Sequence, residues 1–156
     1  MAPRLDENRR LYQQVADLRA RYPDARTQWK RGVLTWTGSI QPGPLCHTYT
    51  VRITWNGRGR RPVVRILQPR LNAPEGGSLP HIFTGNELCL HYPDEWSPEL
   101  AIADTIIPWT SEWLYFYELW AATGEWLGGG HDPTAAKLSE PPQGDFWMPE
   151  RAPPGG

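Results

Sequence analysis

Between His47 and Trp55 the chain reads HTYTVRITW, where His47, Tyr49, Val51, Ile53 and Trp55 alternate with Thr48, Thr50, Arg52 and Thr54. A period of two sends successive side chains to opposite faces, so the run specifies a strand with one apolar and one polar face. This strand constrains the fold more than any other stretch, because its apolar face must be covered and its backbone edges paired. Neighbouring runs supply the pairing. VLTWTGSI (33–40) sets Leu34, Trp36 and Ile40 against Thr35, Thr37 and Ser39, and PVVRIL (62–67) reads as a third strand. QPGP (41–44) and NGRGR (56–60) are the turns between them, since Gly, Pro and Asn supply the backbone conformations that a reversal needs. The expectation is an antiparallel meander of three strands.

Helices supply the cover. From Asp6 to Tyr22, the residues Leu11, Val15, Leu18 and Tyr22 recur at spacings of four, three and four, which is one face of an amphipathic helix; Pro23 ends it. Further along, Ser97 has N-cap chemistry and Pro98 suits the first helical position. That predicts a helix through Leu100, Ile102, Ala103, Ile106 and Ile107 to a kink or break at Pro108. A second helical stretch carries Trp109, Trp113, Phe116, Tyr117 and Trp120 at helical spacing and ends at Gly124. Nine tryptophans point to a core built from few, heavy pieces, and this stripe reads as core. Between strands and helices, residues 68–88 hold three prolines and three glycines. Their Leu71, Leu79, Ile82 and Phe83 predict a long ordered loop packed on the body. The chain is thus expected to be α+β, with one domain over 1–127 and a mobile Gly/Pro-rich tail over 128–156.

Sixteen basic and seventeen acidic side chains nearly cancel, so no global field draws the chain to nucleic acid or membrane. The arginines of NGRGRR (56–61) read as a solvated turn tip. The N-terminus has no apolar signal segment, and no apolar run approaches the roughly 18 residues that span a bilayer. The expected location is the cytoplasm. Two cysteines make neither a disulfide framework nor a zinc pattern, and no His or Cys pair has ligand spacing, so no metal is expected.

Cys46 follows PGPL and opens the alternating strand, which suggests packing. Cys89 leaves an irregular loop beside polar groups and stands just before the helical region. A thiol there is either a nucleophile or a buried structural group, and spacing leaves both open.

The order helix, antiparallel meander, proline-bearing loop, cysteine, then Trp-Ser-Pro and a helix resembles the ubiquitin-conjugating-enzyme (UBC) fold. CLHYPDEWSPELAIADTI (89–106) is similar to that family's active-site segment, and GNEL (85–88) fits its glycine-containing approach to the cysteine. The resemblance covers about residues 6–122 in element order and is specific over about 79–107. LPHIF, IIPWTSEWLYFYELW and TGEWLGGGH look like the bacterial branch. Such proteins occur beside nucleotidyltransferases in short type II CBASS antiphage operons, or in other bacterial ubiquitin-like systems.

The resemblance implies a thioester on Cys89. The eukaryotic family has His-Pro-Asn before its cysteine, with the asparagine eight positions upstream; here that offset holds His81, preceded by Pro80. A neutral imidazole there can donate to an oxyanion or order the loop. His91 stands where relatives often carry an acid, and is either a general base or an exposed histidine. Asp94 and Glu95 are candidates for steering an incoming lysine amine. Trp96, Ser97 and Pro98 support the segment, and His131 matches a histidine of the bacterial branch.

The implied activity is acyl transfer: Cys89 accepts a protein C-terminus from an activated donor and passes it to an amine. No cofactor is expected, because ATP would be used by a separate activating enzyme and no phosphate-binding loop is present. The partners implied are a nucleotidyltransferase or a ubiquitin-like modifier. Two alternatives remain: a non-catalytic binding module on the same fold, and a hydrolase using a Cys-His pair.

Overall fold

The computed structural model describes residues 2–58, 61–73 and 78–128. Helix α1 spans Ala2–Arg21, and a four-stranded antiparallel sheet follows, made of β1 (Arg26–Lys30), β2 (Val33–Ile40), β3 (Tyr49–Trp55) and β4 (Val63–Gln68) in that spatial order. A separate hairpin pairs β5 (Ile82–Phe83) with β6 (Glu87–Leu88). A short 3-10 helix at Ile102–Asp104 leads into α2, Ile106–Thr123. The chain is α+β as expected, and its N-terminal helix, antiparallel sheet and C-terminal helix are compatible with a conjugating-enzyme-like fold.

Alternation decides the sheet's buried face. Leu34, Trp36 and Ile40 on β2, Tyr49, Val51, Ile53 and Trp55 on β3, and Val64 on β4 are all buried. Leu11, Val15 and Leu18 of α1 and Ile106, Trp113, Leu114 and Trp120 of α2 complete one apolar core with them. Gly38 continues the Leu34–Trp36 side of β2, where a Cβ would lie 2.5 Å from the Trp36 ring, so the indole takes the space that a side chain would need. His47 departs from the expected strand: it is exposed, and β3 begins at Tyr49.

Strand β1 was not foreseen. It meets β2 through a two-residue turn, with Lys30 opposite Val33 and positive φ at Arg31 (53°) and Gly32 (75°). That is the backbone of a tight hairpin. Arginine at its first position, where Asn, Asp or Gly is usual, concealed it.

The largest correction concerns residues 97–108. No α-helix starts at Ser97. Leu100 N–H donates to Ser97 O (3.0 Å), the 3-10 turn follows, and Thr105 (φ −123°, ψ −73°) is the N-cap of α2. Pro108 therefore lies inside the first turn of α2 and does not break a helix. An N–H at that position has no partner within its own helix, so proline costs little there, whereas a helix running on from Pro98 would have set its ring against a carbonyl. The C-terminus is as expected: Gly124 takes φ 81°, and its N–H donates to Trp120 O.

The described part of the long loop is ordered. Tyr117 Oη accepts from Asn72 N–H at 2.9 Å, and Leu71, Leu79 and Ile82 pack on the core. Among the described residues no helix is long and apolar enough to cross a membrane. The expected tail lies outside the described residues from residue 129 onward.

Candidate active site

The β5–β6 hairpin gives the eight-residue offset between His81 and Cys89 a structural meaning. Its register pairs Ile82 with Leu88 and Phe83 with Glu87. The next pair outward is His81 with Cys89, and Cys89 N–H donates to His81 O at 2.9 Å. Gly85 (φ 81°) and Asn86 (φ 60°) make the reversal. The hairpin thus sets the candidate nucleophile and the candidate oxyanion donor opposite one another.

His81 is held from several sides. It is 6 % exposed, with a φ of +53°. That left-handed conformation costs a non-glycine residue about 1–2 kcal/mol, so the surroundings must enforce it. One cause is visible: besides the Cys89 N–H, its carbonyl accepts the indole N–H of Trp113 on α2 at 3.2 Å. Its imidazole lies 4.6 Å from the ring of Trp126, tilted by 32°.

Two arginines brace the hairpin, and neither was foreseen in that role. Arg61 pairs with Glu87 at 2.9 Å and lies over the Phe83 ring at 4.1 Å; Arg65 Nε donates to Gly85 O. Part of the cluster expected to be a solvated turn thus holds the β5–β6 hairpin on the sheet. Sequence offered one usable signal, since Arg65 falls on the polar side of a strand whose neighbour Val64 is buried.

Cys89 is 4 % exposed and lies between buried Leu88 and Leu90. Any acyl donor must reach a sulfur that the fold largely covers. Cys46 lies elsewhere, in the loop before β3, and neither cysteine forms a disulfide. The Cys46 thiol pKa is raised, first by desolvation and then by the Glu118 carboxylate. Glu118 also accepts from Tyr49 Oη and from His47 N–H, each at 3.1 Å.

His91 is buried, not exposed, with its ring 5.3 Å from that of Trp109. Its Nδ1 lies 2.6 Å from Tyr92 O. A carbonyl only accepts, so Nδ1 carries a hydrogen in this contact. The two proposed amine-steering acids part company. Asp94 is exposed, while Glu95 closes its own turn, taking Tyr92 N–H on Oε1 at 2.6 Å as its backbone N–H donates to Tyr92 O. His131 lies outside the described residues.

Trp96 is buried, edge-on to Trp55 at 5.6 Å, and its indole N–H donates to Thr105 Oγ1. Thr105 in turn donates to Ala101 O at 2.7 Å, so the tryptophan is tied to the start of α2. Ser97 and Pro98 shape the turn between them. Gln14 of α1, 3 % exposed, joins this network from across the core: its Nε2 donates to Pro98 O and Leu100 O, and its Oε1 accepts from Ile102 N–H. A glutamine inside an amphipathic helix carries no mark of such a role. Its one signal is position, one residue before Val15 on the buried side of α1.

Among the described residues no three His, Cys, Asp or Glu side chains gather into a metal-binding group. No curated protein matches the chain. A sequence model of the type II CBASS E2 protein family matches residues 14–133, which takes in the sheet, the hairpin with Cys89 and both segments that brace it. The chain belongs to that family of E2-like proteins of CBASS antiphage systems.

Proposed function

We propose that the chain is a UBC-fold cysteine acyltransferase that carries a protein C-terminus as a thioester on Cys89 and passes it to an amine. The observation that carries this reading is the hairpin register that sets Cys89 opposite His81, with Cys89 N–H bonded to His81 O. In loading, the Cys89 sulfur attacks the activated carboxyl carbon of the donor. The C–S bond forms, and the donor's leaving group departs with its electron pair and the proton that the thiol gives up. In discharge, a lysine nitrogen attacks the thioester carbon. The N–C bond forms, Cys89 sulfur leaves with the C–S electron pair, and the proton lost by the amine balances the thiolate. An imidazole N–H at His81 is suited to hold the oxyanion of that second step.

A separate activating enzyme would supply the acyl donor, and the CBASS setting points to operon partners: a nucleotidyltransferase, or a ubiquitin-like modifier. Asp94, exposed and five residues after Cys89 in the chain, is the better of the two acids for steering an amine, since Glu95 is engaged in its turn. The Cys-His hydrolase is less favoured because Nδ1 of His91, where a catalytic carboxylate would orient the ring, faces the backbone carbonyl of Tyr92 at 2.6 Å.

A fluorescent peptide ending in a glycine alkyl thioester tests the reading. The parent chain and Cys46→Ala should both take up the acyl group as a thioester, seen on non-reducing gels. Cys89→Ser should hold it as an oxyester that survives reductant, and Cys89→Ala should not load. Loading that persists in Cys89→Ala and vanishes in Cys46→Ala would sink the assignment. A folded parent that never loads would favour the non-catalytic binding module.

A further inference from the structure

The chain turns back on itself after α2. Gly124 ends the helix in the left-handed conformation, and within two residues Trp126 reaches an aromatic cluster. Its ring lies 5.4 Å from Trp113 and 6.3 Å from Phe116, and at 4.6 Å it covers the imidazole of His81. The segment hugs the helix: a Cβ at Gly128 would lie 2.7 Å from the Phe116 ring and 3.1 Å from Trp126 Nε1. Trp113 and Trp126 therefore hold His81 in complementary ways. Trp113 binds its backbone carbonyl, and Trp126 lies on its side chain.

An imidazole turns about two side-chain torsions, and a hydrogen-bond donor aimed at an oxyanion loses most of its effect when misdirected. An indole stacked at a 32° tilt blocks the rotations that would swing the ring toward α2. We infer that Trp126 is a positioning residue of the acyl-transfer site, holding the His81 imidazole in the orientation that discharge uses. This rests on the acyltransferase reading above. It makes the short turn after α2 part of the transfer machinery, although it lies 37 residues beyond Cys89 in sequence.

The test follows single turnovers with the glycine-thioester peptide as donor and free lysine as acceptor. Trp126→Leu keeps apolar bulk against Trp113 and Phe116 without an aromatic face, and stands in for Trp126→Ala should that variant not fold. Loading should stay within about twofold of the parent, while discharge at saturating lysine should slow about ten- to a hundredfold, part of the range for a positioned acid–base group. Trp126→Phe should restore discharge to near the parental rate. Combined with His81→Ala, Trp126→Leu should add nothing, because an orienting residue has no effect once its client is gone. A loaded Trp126→Leu that discharges at the parental rate overturns this inference alone, as does a loss that multiplies with that of His81→Ala. A parent chain that never loads overturns the acyltransferase reading and this inference with it.

Discussion

The side-chain oxygen of Gln14 accepts the backbone N–H of Ile102 at 2.8 Å, joining α1 to the turn before α2. The amide nitrogen of the same residue donates to Leu100 O, also at 2.8 Å. A buried glutamine thus satisfies backbone groups that a helix starting at Ser97 would have satisfied internally. Replacing Gln14 by Leu should strand a buried N–H and a carbonyl, each costing about 1–3 kcal/mol. The urea midpoint should fall by the equivalent of about 2–3 kcal/mol with an unchanged m-value. A change below about 0.5 kcal/mol would mean that the turn is held by its own 3-10 bonds.

Trp96 fills the space between Trp55 and the start of α2 and donates to Thr105. Trp96→Ala should cost about 3–5 kcal/mol and sharply reduce soluble expression. Thr105→Val, which removes the hydroxyl that accepts from Trp96 and donates to Ala101 O, should cost about 1–3 kcal/mol. Equal stability of the Trp96→Ala and parent proteins in thermal denaturation would place the anchor of the Cys89 loop elsewhere.

The two histidines should separate kinetically. His81→Ala should leave peptide loading on Cys89 intact and slow discharge to lysine by about ten- to a thousandfold. His91 is packed on Trp109, so His91→Ala should chiefly lower stability, by about 1–3 kcal/mol, with a smaller effect on discharge. Loss of loading in a folded His91→Ala protein, with Cys89 still open to alkylation, would favour the Cys-His hydrolase.

Tyr49 holds its proton well above the ordinary phenol value of 10.0, first through burial and then through the Glu118 carboxylate that its hydroxyl faces. Above pH 10 the unfolded chain releases this proton while the folded chain keeps it. The unfolded state then binds fewer protons, so stability falls as pH rises through that point. Tyr22, raised mainly by burial, and Cys46 contribute with the same sign. Tyr49→Phe should therefore flatten, without abolishing, the decline of the urea midpoint between pH 9 and 11. At neutral pH it should cost only about 1 kcal/mol for the lost hydrogen bond. An unchanged alkaline slope would show that Tyr49 ionises freely in the folded protein.

The sequence by itself determined the features that repeat locally. Alternation placed Leu34, Trp36, Tyr49, Val51, Ile53 and Trp55 on a buried face, helical spacing placed Leu11, Val15 and Leu18, and Gly124 ended α2. Each follows from the period of one element or the conformational freedom of one residue, which neighbours in the chain suffice to specify. The eight-residue gap from His81 to Cys89 was visible as a number, yet only the β5–β6 register made it a cross-strand pair. Tertiary structure alone decided that Ser97 caps no helix, that Arg61 and Arg65 brace a hairpin, and that His91 is buried while Glu95 closes a turn. It also decided that Gln14 and Trp126 reach the site at all. These contacts join residues some 20 to 90 positions apart, or choose between local options of similar energy. Such choices are made by whichever buried polar group or ring arrives from elsewhere in the chain, and no local period records its arrival.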